Sequence, residues 1–288
     1  MTDTCTGSSL VFIVGSPRSG TTYLQRLLAS HEMILTGQES NVFQYAGPLL
    51  RRWHAEGRQA DGRGGVGLGC YFEEQEFLQL LKGFLRELLQ PMIGKLNPGM
   101  LFVEKTPQHA VFLPEIIELL PACRIIHMVR DPRDVVASML AVSRSWGRGW
   151  APRSARRSAL IWLRQVRAAK EAQNTIPAEQ FYEVRYEDLV AQPTSILQNL
   201  VSFLKLSWAE DAITEAVRRN SIAAVRKGGG TPIPKGGRFA EHNGDIVRDP
   251  ADFIRSGVPG SWRRDLGLSE KLCVWLVTRR MMRVFGYQ

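Results

Sequence analysis

Short apolar runs alternate with stretches of helical periodicity along most of the chain. Runs of four to eight apolar or β-branched residues bounded by turn residues are typical of buried strands, whereas apolar residues at i, i+3 and i+4 indicate an amphipathic helix. By this criterion the predicted strands are residues 10–14, 101–103, 124–129 and 180–184. A less regular element is expected between the first two, around residues 31–40.

Helical periodicity follows each predicted strand. The predicted helices begin near residue 21 and span residues 72–89, 112–120, 191–204, 208–219 and 269–285, with another starting near residue 135. Pro91 is expected to close the second of these. Residues 142–170 predict a loop and then a helix whose inward residues are Leu160, Trp162, Leu163 and Val166.

Strand–helix alternation predicts a three-layer α/β/α fold with a central, mainly parallel sheet. At 288 residues, the chain is expected to form a single domain, residues 1–288. The Arg- and Gly-rich residues 51–69 lack periodicity and predict a loop. That loop is either a lid over an acceptor or a surface insertion. Residues 226–239 also predict a flexible, basic stretch.

The net charge of +9 and the pI of about 9.7 indicate anionic partners. A nucleotide donor, an acidic acceptor and nucleic acid all fit, and a basic surface kept for solubility fits as well. The four cysteines are far apart and lack CxxC spacing, so we expect free thiols. The N-terminus has no basic region and only a short apolar run, which predicts a cytoplasmic enzyme without a membrane span.

The turn after the first strand has the features of a phosphate-binding loop. Gly15 and Gly20 are followed by Thr21 and Thr22, a spacing that almost matches GxxxxGK[ST]. The lysine of a nucleotide triphosphate loop is missing, and Arg18 lies inside the loop instead. Free backbone N–H groups and a helix N-terminus at one point predict a phosphate ligand held without a triphosphate–magnesium arrangement.

The segment PRSGTT after a hydrophobic strand resembles the 5′-phosphosulfate loop of the sulfotransferase family, which uses 3′-phosphoadenosine-5′-phosphosulfate (PAPS) as donor. Further segments of the chain resemble that family in the same order: EKTP at residues 104–107, an arginine with a serine eight residues later, and RYEDL at residues 185–189. Together they span most of the chain. The resemblance implies the P-loop-like sulfotransferase fold.

The resemblance also implies which residues bind PAPS. The expected donor site contains Arg18, Ser19, Gly20, Thr21 and Thr22 at the phosphosulfate, Arg130 and Ser138 at the 3′-phosphate, and Tyr23 and Tyr186 near the adenine. An arginine at a strand end and a hydroxyl in the next helix can reach one phosphate from two sides. Any aromatic residue beside a strand end is otherwise more often part of the core.

Residues 253–262 resemble the FxRKGxxGDW loop that closes over the 3′-phosphate in this family. The chain departs from that pattern at Ser256, which replaces the lysine, and at Ser261, which replaces the aspartate. Arg255, Ser256 and backbone N–H groups around Gly257 remain the expected contacts.

Glu39 is the candidate general base. A glutamate at the same ungapped distance from the phosphosulfate loop has this role in the tyrosylprotein sulfotransferase branch, which the chain resembles most in motif spacing. The rival is His109, since cytosolic relatives use a histidine shortly after the lysine that corresponds to Lys105. The position two residues after Lys105 is Pro107, and His109 follows two residues later.

The predicted reaction is in-line transfer of a sulfuryl group from PAPS to an acceptor hydroxyl or amine, with adenosine 3′,5′-bisphosphate as the other product. Glu39, Lys105 and Arg18 are the predicted catalytic residues, and no metal is expected. The acceptor class stays open among small molecules, glycans, lipids and peptides. We expect no nucleic-acid partner, and a homodimer is the assembly to test. The alternatives are a P-loop kinase acting on a small molecule and a non-catalytic protein that binds nucleotides or polyanions.

Overall fold

Five parallel strands form one sheet in the computed structural model of the chain, which describes residues 7–59, 67–234, 250 and 253–288. The strands are β1 (Leu10–Gly15), β2 (Ile34–Thr36), β3 (Leu101–Lys105), β4 (Arg124–Val129) and β5 (Phe181–Arg185). Their order in the sheet is β2-β3-β1-β4-β5. β1 is therefore central, and it pairs with β3 on one side and with β4 on the other.

Helices connect the strands and flank the sheet. They are α1 (Thr21–Leu28), α2 (Val42–Gln59), α3 (Glu74–Ile93), α4 (Leu113–Leu119), α5 (Pro132–Arg144), α6 (Ala155–Gln173), α7 (Tyr186–Ala191), α8 (Pro193–Phe203), α9 (Glu210–Arg219), α10 (Ile222–Arg226), α11 (Trp262–Asp265) and α12 (Leu268–Val284). Parallel neighbours need a crossover connection, and these helices supply it.

The core lies on both faces of the sheet. Alternate residues of β1 point to opposite faces, so that Leu10 and Phe12 pack against α2, α3 and α4, whereas Val11 and Ile13 pack against α1, α8 and α9. All of β1 is buried. The predicted three-layer α/β/α fold with a parallel sheet is confirmed.

Several predicted elements were wrong in detail. Residues 51–59 are helical rather than a loop, because the apolar face of α2 continues through Leu50 to Trp53, and Arg51 pairs with Glu115 of α4. Residues 60–66 of the expected loop lie outside the described residues, as do residues 235–239 of the predicted flexible stretch.

Other differences concern single residues. α3 runs through Pro91 to Ile93, which is buried together with Leu89. Leu160 was expected to face inward but is 41% exposed. It lies two residues before the buried Trp162, so the two side chains point in directions roughly 200° apart around the helix axis. β2 was not predicted as a strand, since only three residues pair.

A close approach of strands fixes the start of the loop after β1. Gly15 has φ 150°, and a Cβ at this position would lie 2.4 Å from the backbone oxygen of Met128 in β4. Any side chain there would force β1 and β4 apart at the point where the loop begins.

Gly15→Ala is therefore expected to lower the free energy of unfolding by roughly 1–3 kcal/mol, the usual cost of overpacking. The matched control is Gly83→Ala in α3, where an added Cβ meets nothing within 4 Å. That control should raise stability by about 0.5–1 kcal/mol, because alanine is the better helix former. Chemical denaturation measures both, and equal effects of the two substitutions would contradict the steric argument.

Candidate active site

The loop between β1 and α1 is wound tightly around left-handed residues. Arg18 has φ 73° and Gly20 has φ 97°, and the Ser19 N–H donates to Ser16 O at 3.1 Å. α1 begins at Thr21, so its unpaired N–H groups lie at the end of the loop. A Cβ on Gly20 would lie 2.3 Å from Cδ2 of Tyr186, which packs directly over the loop.

The first cavity opens beside this loop and has a volume of about 300 Å³. Most of the predicted donor-binding residues line it: Arg18, Gly20, Thr21, Thr22, Tyr23, Arg130, Ser138, Tyr186, Arg255, Ser256 and Gly257. Ser19 does not; its side chain is fully buried beneath the loop. Apolar residues from α7, α8, α9 and α10 form another part of the wall, among them Val190, Val217 and Ile222.

Arg18, Ser138 and Arg130 come from three separate elements and meet at this cavity. Arg18 Nε donates to Ser138 Oγ at 3.1 Å, and Arg130 Nη1 donates to Arg18 O at 3.4 Å. Trp162 Nε1 donates to the backbone oxygen of Arg130 at 3.0 Å and so holds the end of β4. The expected convergence of Arg18 and Arg130 is thus present.

Tyrosine rings cover the cationic part of the cavity. The Arg130 guanidinium lies 4.1 Å from the centroid of the Tyr186 ring, within cation–π range. The Tyr186 hydroxyl donates to Gly257 O at 2.6 Å, which joins the start of α7 to the C-terminal segment. Burial raises the pKa of Tyr186, and burial with the nearby Tyr186 raises the pKa of Tyr23 to about 12. Both phenols are therefore neutral hydrogen-bonding groups near neutral pH.

The second cavity lies on the other side of Arg18 and has a volume of about 480 Å³. It contains Glu39 and Lys105, and Lys105 Nζ donates to Glu39 Oε1 at 2.5 Å. The Lys105 side chain is 8% exposed and that of Glu39 is 40% exposed. The carboxylate is therefore open to an incoming molecule, whereas the ammonium is held inside.

The two cavities share one wall. Arg18, Thr21, Thr22, Arg26 and Phe253 line both. A group bound at the N-terminus of α1 would thus face the first cavity on one side and the Glu39–Lys105 pair on the other.

Aromatic side chains line part of the second cavity. Trp146 and Phe253 stack with centroids 5.6 Å apart, and Trp150 lies 5.8 Å from Trp146. The Arg18 guanidinium lies over both Trp146 and Phe253. Sequence reasoning did not assign Trp146 and Trp150 to the site, although three tryptophans in a short basic stretch were a signal.

His109 is far from solvent and lines neither cavity. It is fully buried, its Nε2 accepts from the Phe43 N–H at 3.2 Å, and its Nδ1 lies 3.0 Å from Glu104 Oε2. His109 is therefore enclosed by structural neighbours, whereas Glu39 lines the second cavity.

The C-terminal segment is anchored by a residue that sequence reasoning missed. Asp134, in the first turn of α5, is fully buried and accepts from Gly260 N at 2.7 Å, from Ser261 Oγ at 3.0 Å and from Trp262 N at 2.9 Å. Arg255 Nη2 donates to the same Ser261 Oγ at 2.7 Å. Ser261, which departs from the family pattern, thus has a structural role, and Ser256 Oγ donates to it at 2.9 Å.

Other predicted features can be located in the described part of the chain. Cys70, Cys123 and Cys273 are free thiols, whereas Cys5 lies outside the described residues. Among the described residues, no group of three or more His, Cys, Asp or Glu side chains is arranged to hold a metal ion. Within the same residues, no helix combines the length and apolarity needed to cross a membrane.

Comparison with known proteins gives a consistent result. The profile of the sulfotransferase family matches residues 10–210. A protein-tyrosine sulfotransferase of Drosophila melanogaster is 25% identical over 271 residues, covering 85% of this chain and 50% of that protein. Protein-tyrosine sulfotransferase 1 of Danio rerio is 26% identical over 243 residues, covering 84% of this chain and 63% of its own length. The chain therefore spans half to two thirds of these relatives.

The fold is shared with a solved structure at low sequence identity. Mouse sulfotransferase SULT7A1 complexed with PAP aligns with a TM-score of 0.60 and 16% identity, covering 96% of this chain and 84% of that one. At this identity the likeness supports the fold alone.

Asp134→Asn is expected to loosen residues 253–262, because a neutral amide accepts more weakly and its NH₂ group opposes the facing N–H donors. The variant should lose roughly 1–3 kcal/mol of stability and show faster hydrogen exchange at Gly260 and Trp262. Asp211→Asn, on the exposed face of α9, serves as the control and should change neither. Unchanged exchange in the Asp134 variant would mean that the carboxylate does not anchor the segment.

Proposed function

Since the chain belongs to the sulfotransferase family, we propose that it transfers a sulfuryl group from PAPS to an acceptor hydroxyl or amine. PAPS supplies the sulfuryl group and leaves as adenosine 3′,5′-bisphosphate. The observation that carries the proposal is the shared wall: one phosphate-binding loop separates a cationic and apolar cavity from a cavity that contains a carboxylate–ammonium pair.

The first cavity suits an adenosine with two phosphate groups. Arg18, Arg130 and Arg255 contribute three guanidinium groups, and no carboxylate of the described residues lines this cavity. Arg130 Nε is buried and has no hydrogen-bond partner within the described part of the chain, so it is available to an oxyanion. The apolar wall from α7 to α10 supplies a surface for the adenine ring.

We assign the phosphosulfate to the loop after β1. The N–H groups of Gly20, Thr21 and Thr22 and the N-terminus of α1 favour negative charge. Arg130 and Ser138 would bind the 3′-phosphate, with Arg255 and the backbone near Gly257 closing over it. Tyr23 and Tyr186 would lie beside the nucleoside.

Glu39 and Lys105 have opposite tasks in the proposed reaction. Glu39 accepts the proton of the acceptor hydroxyl, whose oxygen forms a bond to sulfur as the bond from sulfur to the 5′-phosphate oxygen breaks. The electron pair of that bond passes to the phosphate oxygen, where Lys105, Arg18 and the loop N–H groups stabilise the charge. Lys105 has three donor hydrogens, so it can contact both Glu39 and the leaving oxygen.

The acceptor would enter through the second cavity. Trp146, Trp150 and Phe253 favour an acceptor with a flat or apolar body, such as a phenol or a tyrosine side chain. Relatives named as protein-tyrosine sulfotransferases are consistent with this choice. Turnover of radiolabelled PAPS with phenols, tyrosine peptides, sugars and amines tests both the reaction and the acceptor class.

Activity should require PAPS and persist in EDTA. A P-loop kinase would instead use ATP and depend on magnesium. Tight binding of adenosine 3′,5′-bisphosphate without turnover of any acceptor would favour a non-catalytic nucleotide-binding protein.

Glu39→Ala is expected to lower kcat by roughly 100- to 10,000-fold, the usual contribution of a general base, while leaving the affinity for adenosine 3′,5′-bisphosphate unchanged. The comparison variant is His109→Ala, which removes a buried ring and should act through stability. Steady-state kinetics, calorimetric binding and thermal denaturation separate the two effects. Full activity in the Glu39 variant would end the assignment of Glu39 as base.

Arg130→Ala is expected to weaken binding of adenosine 3′,5′-bisphosphate by roughly ten- to a hundredfold, because a charged hydrogen bond contributes about 1.5–3 kcal/mol. Arg133→Ala is the matched control: this arginine is three residues away, pairs with Asp131, and lines neither cavity. Isothermal titration calorimetry measures both constants. An equal loss in the two variants would point to general electrostatics rather than a specific contact.

A further inference from the structure

Buried polar side chains hold the segment that follows Glu39. Four successive peptide N–H groups each donate a hydrogen bond to a side chain: Ser40 N to Glu104 Oε1 at 3.1 Å, Asn41 N to Thr106 Oγ1 at 3.3 Å, Val42 N to Ser40 Oγ at 3.2 Å and Phe43 N to His109 Nε2 at 3.2 Å. A helix N-terminus such as that of α2 is usually satisfied by a single capping side chain. Here the acceptors also come from the end of β3 and the turn after it.

Glu104 is the centre of this network. Its Oε1 also accepts from Ser40 Oγ at 2.7 Å and from Thr106 Oγ1 at 2.6 Å. Its Oε2 lies 3.0 Å from His109 Nδ1. His109 thus lies between Glu104 and the Phe43 N–H group.

The charge on Glu104 is well compensated despite complete burial. Burial by itself would raise the pKa of this carboxyl, but His109 and the hydrogen bonds from His109, Thr106 and Ser40 together hold it below its usual value. Glu104 is 1% exposed and Thr106 is fully buried, and neither residue lines the first or the second cavity. The network therefore lies inside the protein and outside both cavities.

Strand geometry links the network to the catalytic pair. Successive side chains at the end of a strand point to opposite sides, so that Glu104 and Thr106 point inward while Lys105, between them, points into the second cavity. The same two inward side chains hold the peptide groups directly after Glu39. Glu39 and Lys105 are thus both connected to the same buried network. Lys105 lies between Glu104 and Thr106, and Glu39 directly precedes the peptide groups that these two side chains hold.

We propose that Glu104 and Thr106 are positioning residues. By accepting hydrogen bonds from the peptide N–H groups of the two residues after Glu39, they set the separation of Glu39 and Lys105. This inference rests on the proposed role of Glu39 as base. A displacement of about 1 Å from reactive geometry can cost a hundredfold in rate. Loss of one of these hydrogen bonds should therefore reduce kcat without affecting donor binding.

The central test compares Thr106→Val with Thr106→Ser. Valine has nearly the same volume as threonine but has no hydroxyl, whereas serine retains it. Thr106→Val should lower kcat by roughly ten- to a hundredfold with an unchanged KM for PAPS. Thr106→Ser keeps the hydroxyl and should retain most of the wild-type kcat. Glu104→Gln should behave like Thr106→Val. Glu115→Gln is the control, because Glu115 is a comparably buried carboxylate that also contacts α2, through Arg51.

A second readout does not depend on turnover. Crystal structures of Thr106→Val and Thr106→Ser should show the Glu39–Lys105 hydrogen bond lost in the former and kept in the latter. If Thr106→Val folds, keeps this hydrogen bond and retains the wild-type kcat, the proposal is overturned. If the wild-type protein binds adenosine 3′,5′-bisphosphate but turns over no acceptor, the proposed function fails, while the crystallographic comparison still decides whether Glu104 and Thr106 position Glu39.

Discussion

The parallel pairing of β1 with both β3 and β4 is the constraint on which the rest of the structure depends. Parallel strands end at the same edge of a sheet, and ligands of such sheets bind outside the carboxyl ends. Ile13 is paired with Lys105 and Gly15 with Met128, so the loop after β1, the end of β3 and the end of β4 emerge side by side. Arg18, Lys105 and Arg130 are brought together by this register although more than a hundred residues separate the first from the last.

The arginines at the carboxyl edge of the sheet repel one another and are costly to desolvate, and aromatic rings and hydroxyl groups reduce this cost. Like charges repel and desolvated guanidinium groups are costly to bury. Arg130 lies against the Tyr186 ring, Arg18 lies over both Trp146 and Phe253, and Arg18 also donates to Ser138. An anionic donor would complete this compensation, which gives the proposed binding of a doubly phosphorylated nucleotide a direct physical basis.

The sequence alone predicted the fold class, the main strands and the residues that line the first cavity. The fold class and the strands depend on local patterns, namely apolar runs followed by turns, whereas the residues of the first cavity were implied by the resemblance of short motifs to the sulfotransferase family. It also predicted the family to which the chain belongs. What it predicted poorly were local boundaries set by distant contacts. Residues 51–59 are helical because Arg51 and Trp53 meet partners on other helices, which composition could not reveal.

The sequence alone leaves the identity of the candidate general base open between Glu39 and His109. Both have suitable chemistry. Glu39 lies at the expected distance from the phosphosulfate loop and His109 lies four residues after Lys105, so the sequence by itself determined two candidates and the motifs around them. Only the tertiary structure distinguished their surroundings, because it buries His109 against Glu104 and Phe43 and leaves Glu39 open to the second cavity. Accessibility is a property of the packed molecule: it depends on which elements cover a side chain, and those elements are distant in the sequence.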